Sequence, residues 1–90
     1  MNTGAHIVVK GLVQGVGFRY FVATRASQAG LTGYVRNEWS GDVEIEAEGD
    51  RAAIEILLSA VKVGPRSAQV NDVRIEWHDE TGTFTRFEIR

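Results

Sequence analysis

The sequence predicts an α+β two-layer sandwich in the order β-α-β-β-α-β, with a short extra strand at the end. Three observations carry this prediction. Val43-Glu44-Ile45-Glu46-Ala47-Glu48 alternates apolar and acidic residues at the period of a strand with one buried face. Ile54, Leu57, Leu58 and Val61 recur at the spacing of one helical face. Each of the two helical stretches stands between β-rich segments, and the middle two of those segments are separated only by the turn signal Ser40-Gly41-Asp42. That order is the split βαβ, or ferredoxin-like, pattern. Right-handed crossovers then place both helices on one face of a four- to five-stranded, mostly antiparallel sheet.

The elements are justified in turn. His6 to Val13 alternates, with Ile7, Val9 and Val13 on one face and His6, Val8, Lys10 and Leu12 on the other, which suits a half-buried strand. Phe18, Val22, Ala26 and Ala29 give the following stretch helical spacing, and Gly30 is placed to end it. Gly33 to Trp39 is β-rich and forms a hairpin with Val43 to Glu48, whose glutamates are expected on the solvent face. Asp50 is an expected N-cap for the second helix, and Gly64-Pro65 ends that helix. Val70 to Trp77 reads as a strand with Val73, Ile75 and Trp77 inward and Arg74 and Glu76 outward. Asp79 to Thr83 turns, and Phe84 to Ile89 is a short closing strand with Phe87 and Ile89 inward.

Composition bounds the function. Ninety residues are expected to form one domain, 1–90, burying about 60–65% of the surface of the unfolded chain. The residues are 43% hydrophobic and 24% charged, as in ordinary globular proteins. A formal charge of −2 gives no bulk attraction toward nucleic acid or an anionic membrane. With no cysteine there is no disulfide, no thiolate nucleophile and no thiolate metal site. His6 and His78 have no metal-ligand spacing and are expected to be structural or exposed. Met1 to Ala5 lacks a signal-peptide pattern. No apolar run approaches the ~20 residues of a membrane span. A monomeric cytoplasmic protein is the expectation.

Chemistry concentrates at Gly11-Leu12-Val13-Gln14-Gly15-Val16-Gly17-Phe18-Arg19, where a strand passes through a loop with two glycines into a helix N-terminus. The first N–H groups of a helix have no internal partner and sit at the positive end of its dipole. Gly15 and Gly17 can adopt positive φ, and successive N–H groups in such a turn form a concave nest for phosphate-like oxygens. Arg19 adds a permanent charge with a planar fork of donors. Tyr20 stands where the Rossmann fingerprint has a third glycine, and no Gly-Lys-Ser/Thr of a Walker loop follows. Gln14, Gly15, Val16, Gly17, Phe18 and Arg19 are therefore the expected anion-binding loop. The side chain of Gln14 either hydrogen-bonds the loop or is that of a solvated turn residue, and that of Phe18 belongs to the core.

The nine-residue string, followed by Gly33-Tyr34-Val35-Arg36-Asn37, closely resembles the acylphosphatase family, whose two signatures have the forms G-x-V-Q-G-V-x-F-R and G-x-V-x-N. The likeness runs from about Ile7 to Arg90. It implies the same ferredoxin-like fold and an enzyme that hydrolyses small-molecule acyl phosphates to a carboxylate and inorganic phosphate, without metal or cofactor. The matched arginine, Arg19, binds phosphate in this family, and the matched asparagine, Asn37, positions water. The chemistry agrees with those roles. A carboxylate leaving group, with an acid pKa near ~4, needs no strong general acid. A carboxamide both accepts and donates, so it can orient a water. Arg36 is expected as a solvated charge on the sheet face. Two departures from the family pattern stand out. Tyr34 replaces the frequent Trp, and Glu38-Trp39-Ser40-Gly41-Asp42 reorders a turn that often holds Asp-Gly. Some members place a C-terminal carboxylate near the matched arginine, and Arg90 ends this sequence.

Three rival readings fit less well. An RNA-recognition module shares the element order, and Gly15, Gly17, Phe18 and Phe21 echo its RNP1 pattern. Gln14, Val16 and Arg19 do not match, the string follows the first strand rather than the third, and the open sheet face is charged rather than aromatic. Related domains also occur within larger hydrogenase-maturation proteins, whereas a single domain is expected here. A domain that only binds phosphate is the third alternative, and the presence of both Arg19 and Asn37 argues against it.

Overall fold

A computed structural model describes residues 1–90. Alternation of apolar residues with more polar neighbours gives β1 (Asn2–Leu12) its buried face of Ala5, Ile7 and Val9. The chain continues through α1 (Phe18–Gln28), β2 (Thr32–Asn37), β3 (Val43–Asp50), α2 (Arg51–Val63), β4 (Gln69–His78) and β5 (Phe87–Ile89). The strands lie in the order β4-β1-β3-β2-β5. β1 is antiparallel to both β3 and β4, β2 is antiparallel to β3, and β5 runs parallel to β2 at the edge. This is the ferredoxin-like α+β sandwich, with one strand added.

Both helices cover the same face. Phe18, Val22 and Ala26 of α1 and Ile54, Leu57, Leu58 and Val61 of α2 close over Ala5, Ile7, Val9, Val35, Val43, Ile45 and Ala47 to form one core. Burying each large aliphatic or aromatic side chain contributes about 1.5–3 kcal/mol. The expected stripe of α2 is buried in full. Ala29, expected on the inner side of α1, is exposed, because the helix ends one residue earlier. There the N–H groups of Gly30 and Leu31 turn back to the Ser27 and Ala26 carbonyls at 3.1 and 2.9 Å.

Several expectations are corrected by what lies on the open face of the sheet. The β3 glutamates are not solvated: Glu44 and Glu48 are buried and Glu46 is partly so. A central strand has neighbours on both sides, and here they supply polar partners that cover the carboxylates. Glu44 meets His6 Nε2 at 2.8 Å, pairs with Arg36 and accepts from Tyr34 Oη at 3.3 Å. Arg36 is therefore paired on the sheet face rather than simply solvated. Glu46 meets His78 Nε2 at 2.7 Å. Glu48 accepts from the main-chain N–H groups of Thr81 and Gly82 and, at 2.8 Å, from the Thr81 hydroxyl. His78 reaches across β1 to Glu46 because Gly4 lies between them without a side chain.

Asp50 occupies the N-cap of α2 but makes no capping bond; its Oδ1 faces the Met1 ammonium at 3.1 Å. The closing strand is confined to Phe87–Ile89, and Ile89 points outward instead of into the core. Trp39 lies beyond the end of β2 and is fully exposed.

The paired groups on the open face set a pH dependence of stability. Burial opposes ionisation of Glu44, but hydrogen bonds from His6 and Arg36 outweigh it and hold its pKa below the ordinary 4.5. Burial likewise opposes ionisation of Glu48, and its bonds from Thr81 and Gly82 prevail. For His78 the Asp79 carbonyl at Nδ1, together with the Glu46 and Glu48 carboxylates, prevails over partial burial and raises the pKa above the ordinary 6.5. A lowered carboxyl pKa stabilises the fold above the unfolded-state value and is lost as pH falls through the folded one. A raised histidine pKa stabilises below the unfolded-state value and is lost as pH rises through the folded one. The melting temperature is therefore expected to peak between pH 4.5 and 6.5. Thermal denaturation across pH checks this, and His78→Gln should flatten the alkaline side of the curve.

Candidate active site

The loop between β1 and α1, expected to bind an anion, turns on two glycines. Gly15 and Gly17 have φ of 75° and 76°, a conformation costly for residues with a Cβ. A Cβ at either glycine would meet nothing within 4 Å, so backbone conformation and not space calls for glycine there. Gly17 is the N-cap of α1, so no side chain caps the helix, and its first turn holds no acidic residue. The first helical hydrogen bond runs from the Phe21 N–H to the Gly17 carbonyl at 3.0 Å. None of the six main-chain N–H groups from Gly15 to Tyr20 donates to a protein acceptor. These donors stand at the positive end of the α1 dipole.

A cleft of about 200 Å³ opens on this loop. Gly15, Gly17, Phe18 and Arg19 line it, joined by Asn37 from the end of β2. Phe18 is otherwise buried in the core and anchors the start of α1 to it. The structure thus brings Arg19 and Asn37 together across 18 residues of sequence, because β2 emerges beside the N-terminus of α1. Arg19 is half-buried, and its Nη1 donates to the main-chain oxygen of Arg90 at 3.0 Å. That oxygen is delivered by β5, whose pairing with β2 is extended by the Arg90 N–H bond to the Val35 carbonyl at 2.8 Å.

Two residues of the expected loop turn their side chains elsewhere. Val16 packs against the core. Gln14 directs its amide to the β2–β3 turn, where Nε2 donates to the carbonyls of Glu38 and Asp42 at 2.7 and 2.8 Å. Trp39 is not a packing residue; with Gln14, Asn37 and Glu38 it borders a separate shallow recess. Tyr20 and Ile89, not expected from the sequence, add apolar surface to the cleft. An aromatic residue directly after Arg19, on the first turn of a helix, was a usable signal for Tyr20. Ile89 had none, since only the parallel pairing of β5 with β2 brings it there. No group of three His, Asp or Glu side chains is placed to hold a metal ion.

Uncapped amides, a guanidinium and a carboxamide around one cleft of a ferredoxin-like sandwich are the equipment of a protein that handles a phosphoryl group. Comparison with known proteins narrows that class. The acylphosphatase family model matches residues 5–89. An acylphosphatase of Salinibacter ruber is 48% identical over 82 residues, spanning 91% of this chain and 86% of the relative. The crystal structure of acylphosphatase from Bacillus subtilis superposes with a TM-score of 0.94 at 40% identity, covering 100% of this chain and 99% of that one. Full-length HypF, in a phosphate- and nucleotide-bound form, contains a region that superposes on all of this chain with a TM-score of 0.92 at 31% identity, 12% of that protein. The chain belongs to the acylphosphatase family. It is a hydrolase of acyl phosphates.

Proposed function

We propose that the main-chain N–H groups from Gly15 to Arg19, with the Arg19 guanidinium, hold the phosphoryl oxygens, and that Asn37 places the attacking water. The observation that carries this reading is the run of six main-chain N–H groups without a protein acceptor, in a loop that lines one cleft with Arg19 and Asn37. The water oxygen bonds to phosphorus as the bond from phosphorus to the acyl oxygen breaks. The electron pair leaves with the carboxylate, and the water's proton passes to a phosphoryl oxygen. Inorganic phosphate and a carboxylate are the products.

The protein's task is positioning and charge stabilisation, since the loose transition state of phosphoryl transfer spreads charge over the phosphoryl oxygens. Arg19 is itself positioned, because its bond to the Arg90 main-chain oxygen limits its rotamers and leaves other donors of the fork free. With a carboxylate as leaving group, neither a metal ion nor a protein acid is needed to expel it. The acyl group lies toward Tyr20 and Ile89, exposed apolar residues that line the cleft. The proposal includes action as a monomer, since one chain lines the whole cleft. It also includes action in the cytoplasm, because acyl phosphates are short-lived and must be met where they are formed.

The test is hydrolysis of benzoyl phosphate in excess chelator, with inorganic phosphate as inhibitor. Turnover that survives the chelator and is inhibited competitively by phosphate is the expected result. Loss of turnover in chelator, restored by a divalent cation, would remove the metal-independent mechanism.

A further inference from the structure

We infer that Gln14 is a positioning residue that sets the distance between the phosphate loop and Asn37. This rests on the roles proposed above. Gln14 immediately precedes Gly15, the first glycine of the loop, and Glu38 immediately follows Asn37. The Gln14 amide has two protons, and both are used: one on the Glu38 carbonyl at 2.7 Å, the other on the Asp42 carbonyl at 2.8 Å. Those carbonyls form the neck of the β2–β3 turn. Each also accepts from the turn's own main chain, Asp42 from the Glu38 N–H at 2.9 Å and Glu38 from the Gly41 N–H at 3.0 Å. The turn is closed by its own bonds, and the Gln14 amide joins it as a unit to the loop.

No other hydrogen bond connects Gln14–Tyr20 with Asn37–Asp42. The loop N–H groups have no protein partner, so the main chain of the loop does not fix its own spacing from Asn37. One further tie holds the same turn to β1, the Lys10 Nζ bond to Asp42 Oδ2 at 2.7 Å. That tie ends four residues before Gln14, on the strand and not on the loop. The Gln14 clamp is therefore the polar link that keeps a phosphoryl group on the loop in line with a water on Asn37. Misplacement of reacting groups by ~1 Å can cost about 10²-fold in rate.

The test is a double-mutant cycle with benzoyl phosphate as substrate and inorganic phosphate as competing ligand. Gln14→Leu removes both donors and is expected to lower kcat about 10- to 100-fold, with the phosphate inhibition constant unchanged. In the Asn37→Ala background the same substitution should cost little further, because its effect passes through Asn37. Gln14→Glu keeps the shape and regains one donor only when its carboxyl is protonated. Its kcat relative to wild type should therefore recover as pH falls, which general loosening of the fold would not produce. Equal losses of Gln14→Leu in both backgrounds, or a rise in the phosphate inhibition constant that matches the fall in kcat, would overturn the inference, as would an unchanged kcat. If Gln14→Leu does not fold, Gln14→Glu decides alone, and a pH profile parallel to wild type overturns it. An inactive wild type would instead count against the proposed reaction at this cleft.

Discussion

Asn37→Ala is expected to lower kcat by about 10²–10³-fold while leaving inhibition by inorganic phosphate almost unchanged. Loss of one preorganised polar group acting on the transition state costs about 3–4 kcal/mol, and each 1.36 kcal/mol is roughly tenfold in rate. Asn37 is exposed at the end of β2, and its side chain makes no hydrogen bond within the protein. Its removal therefore leaves no buried partner unsatisfied, and the fold should melt as before. In the proposed arrangement other groups, the loop amides and Arg19, hold the anion, so binding of phosphate should survive. Steady-state kinetics with phosphate as a competing ligand separates these effects. A variant with full turnover would show that the water is placed by something else.

Arg19→Ala should be more damaging and damaging in a different way: kcat/KM down by about 10³–10⁵-fold, the scale of losing an arginine at a transferring phosphoryl group, and phosphate inhibition largely abolished. Arg19 supplies the side-chain cation of the cleft, and no Asp or Glu side chain forms a salt bridge with it; its one protein acceptor is the Arg90 main-chain oxygen. Its charge is thus available to substrate in both ground and transition states. Arg19→Lys should recover only part of the loss, since an ammonium cannot present the planar fork. Arg19→Ala also releases the Arg90 main-chain oxygen, so calorimetry on the same variant is needed to separate a lost strand contact from a lost ligand. Retention of phosphate inhibition in a folded Arg19→Ala protein would return the anion site to the loop amides alone.

What could be read in the sequence was what is local. The stripe of Ile54, Leu57, Leu58 and Val61 and the alternation through Ile7 and Val9 place the core because each pattern repeats at the period of its own element. Arg19 and its glycines were legible because a loop entering a helix N-terminus is contiguous in the chain. Asn37 was legible only beside the first motif. Apart from the early end of α1 at Gln28, the failures are pairings between distant segments. Alternation identified one face of β3 but not that the other face is covered, since His6, Arg36, His78 and Thr81 come from four other parts of the chain. The partner of Gln14 lies 24 and 28 residues away, and Ile89 reaches the cleft only through the parallel edge strand.

The reach of His78 over Gly4 has a consequence for how this sequence can drift. The imidazole occupies the space that a Cβ at position 4 would need, and both residues belong to neighbouring strands in fixed register. Even the smallest replacement, Gly4→Ala, requires the ring to shift and is expected to weaken its bond to the Glu46 carboxylate. Substitution at position 78 by a shorter residue frees that space at once. The two positions therefore form an ordered pair: a change at 78 opens a route to a change at 4, while the reverse order passes through a clash. Among descendants of this chain, a side chain at position 4 should be found with something smaller than histidine at position 78.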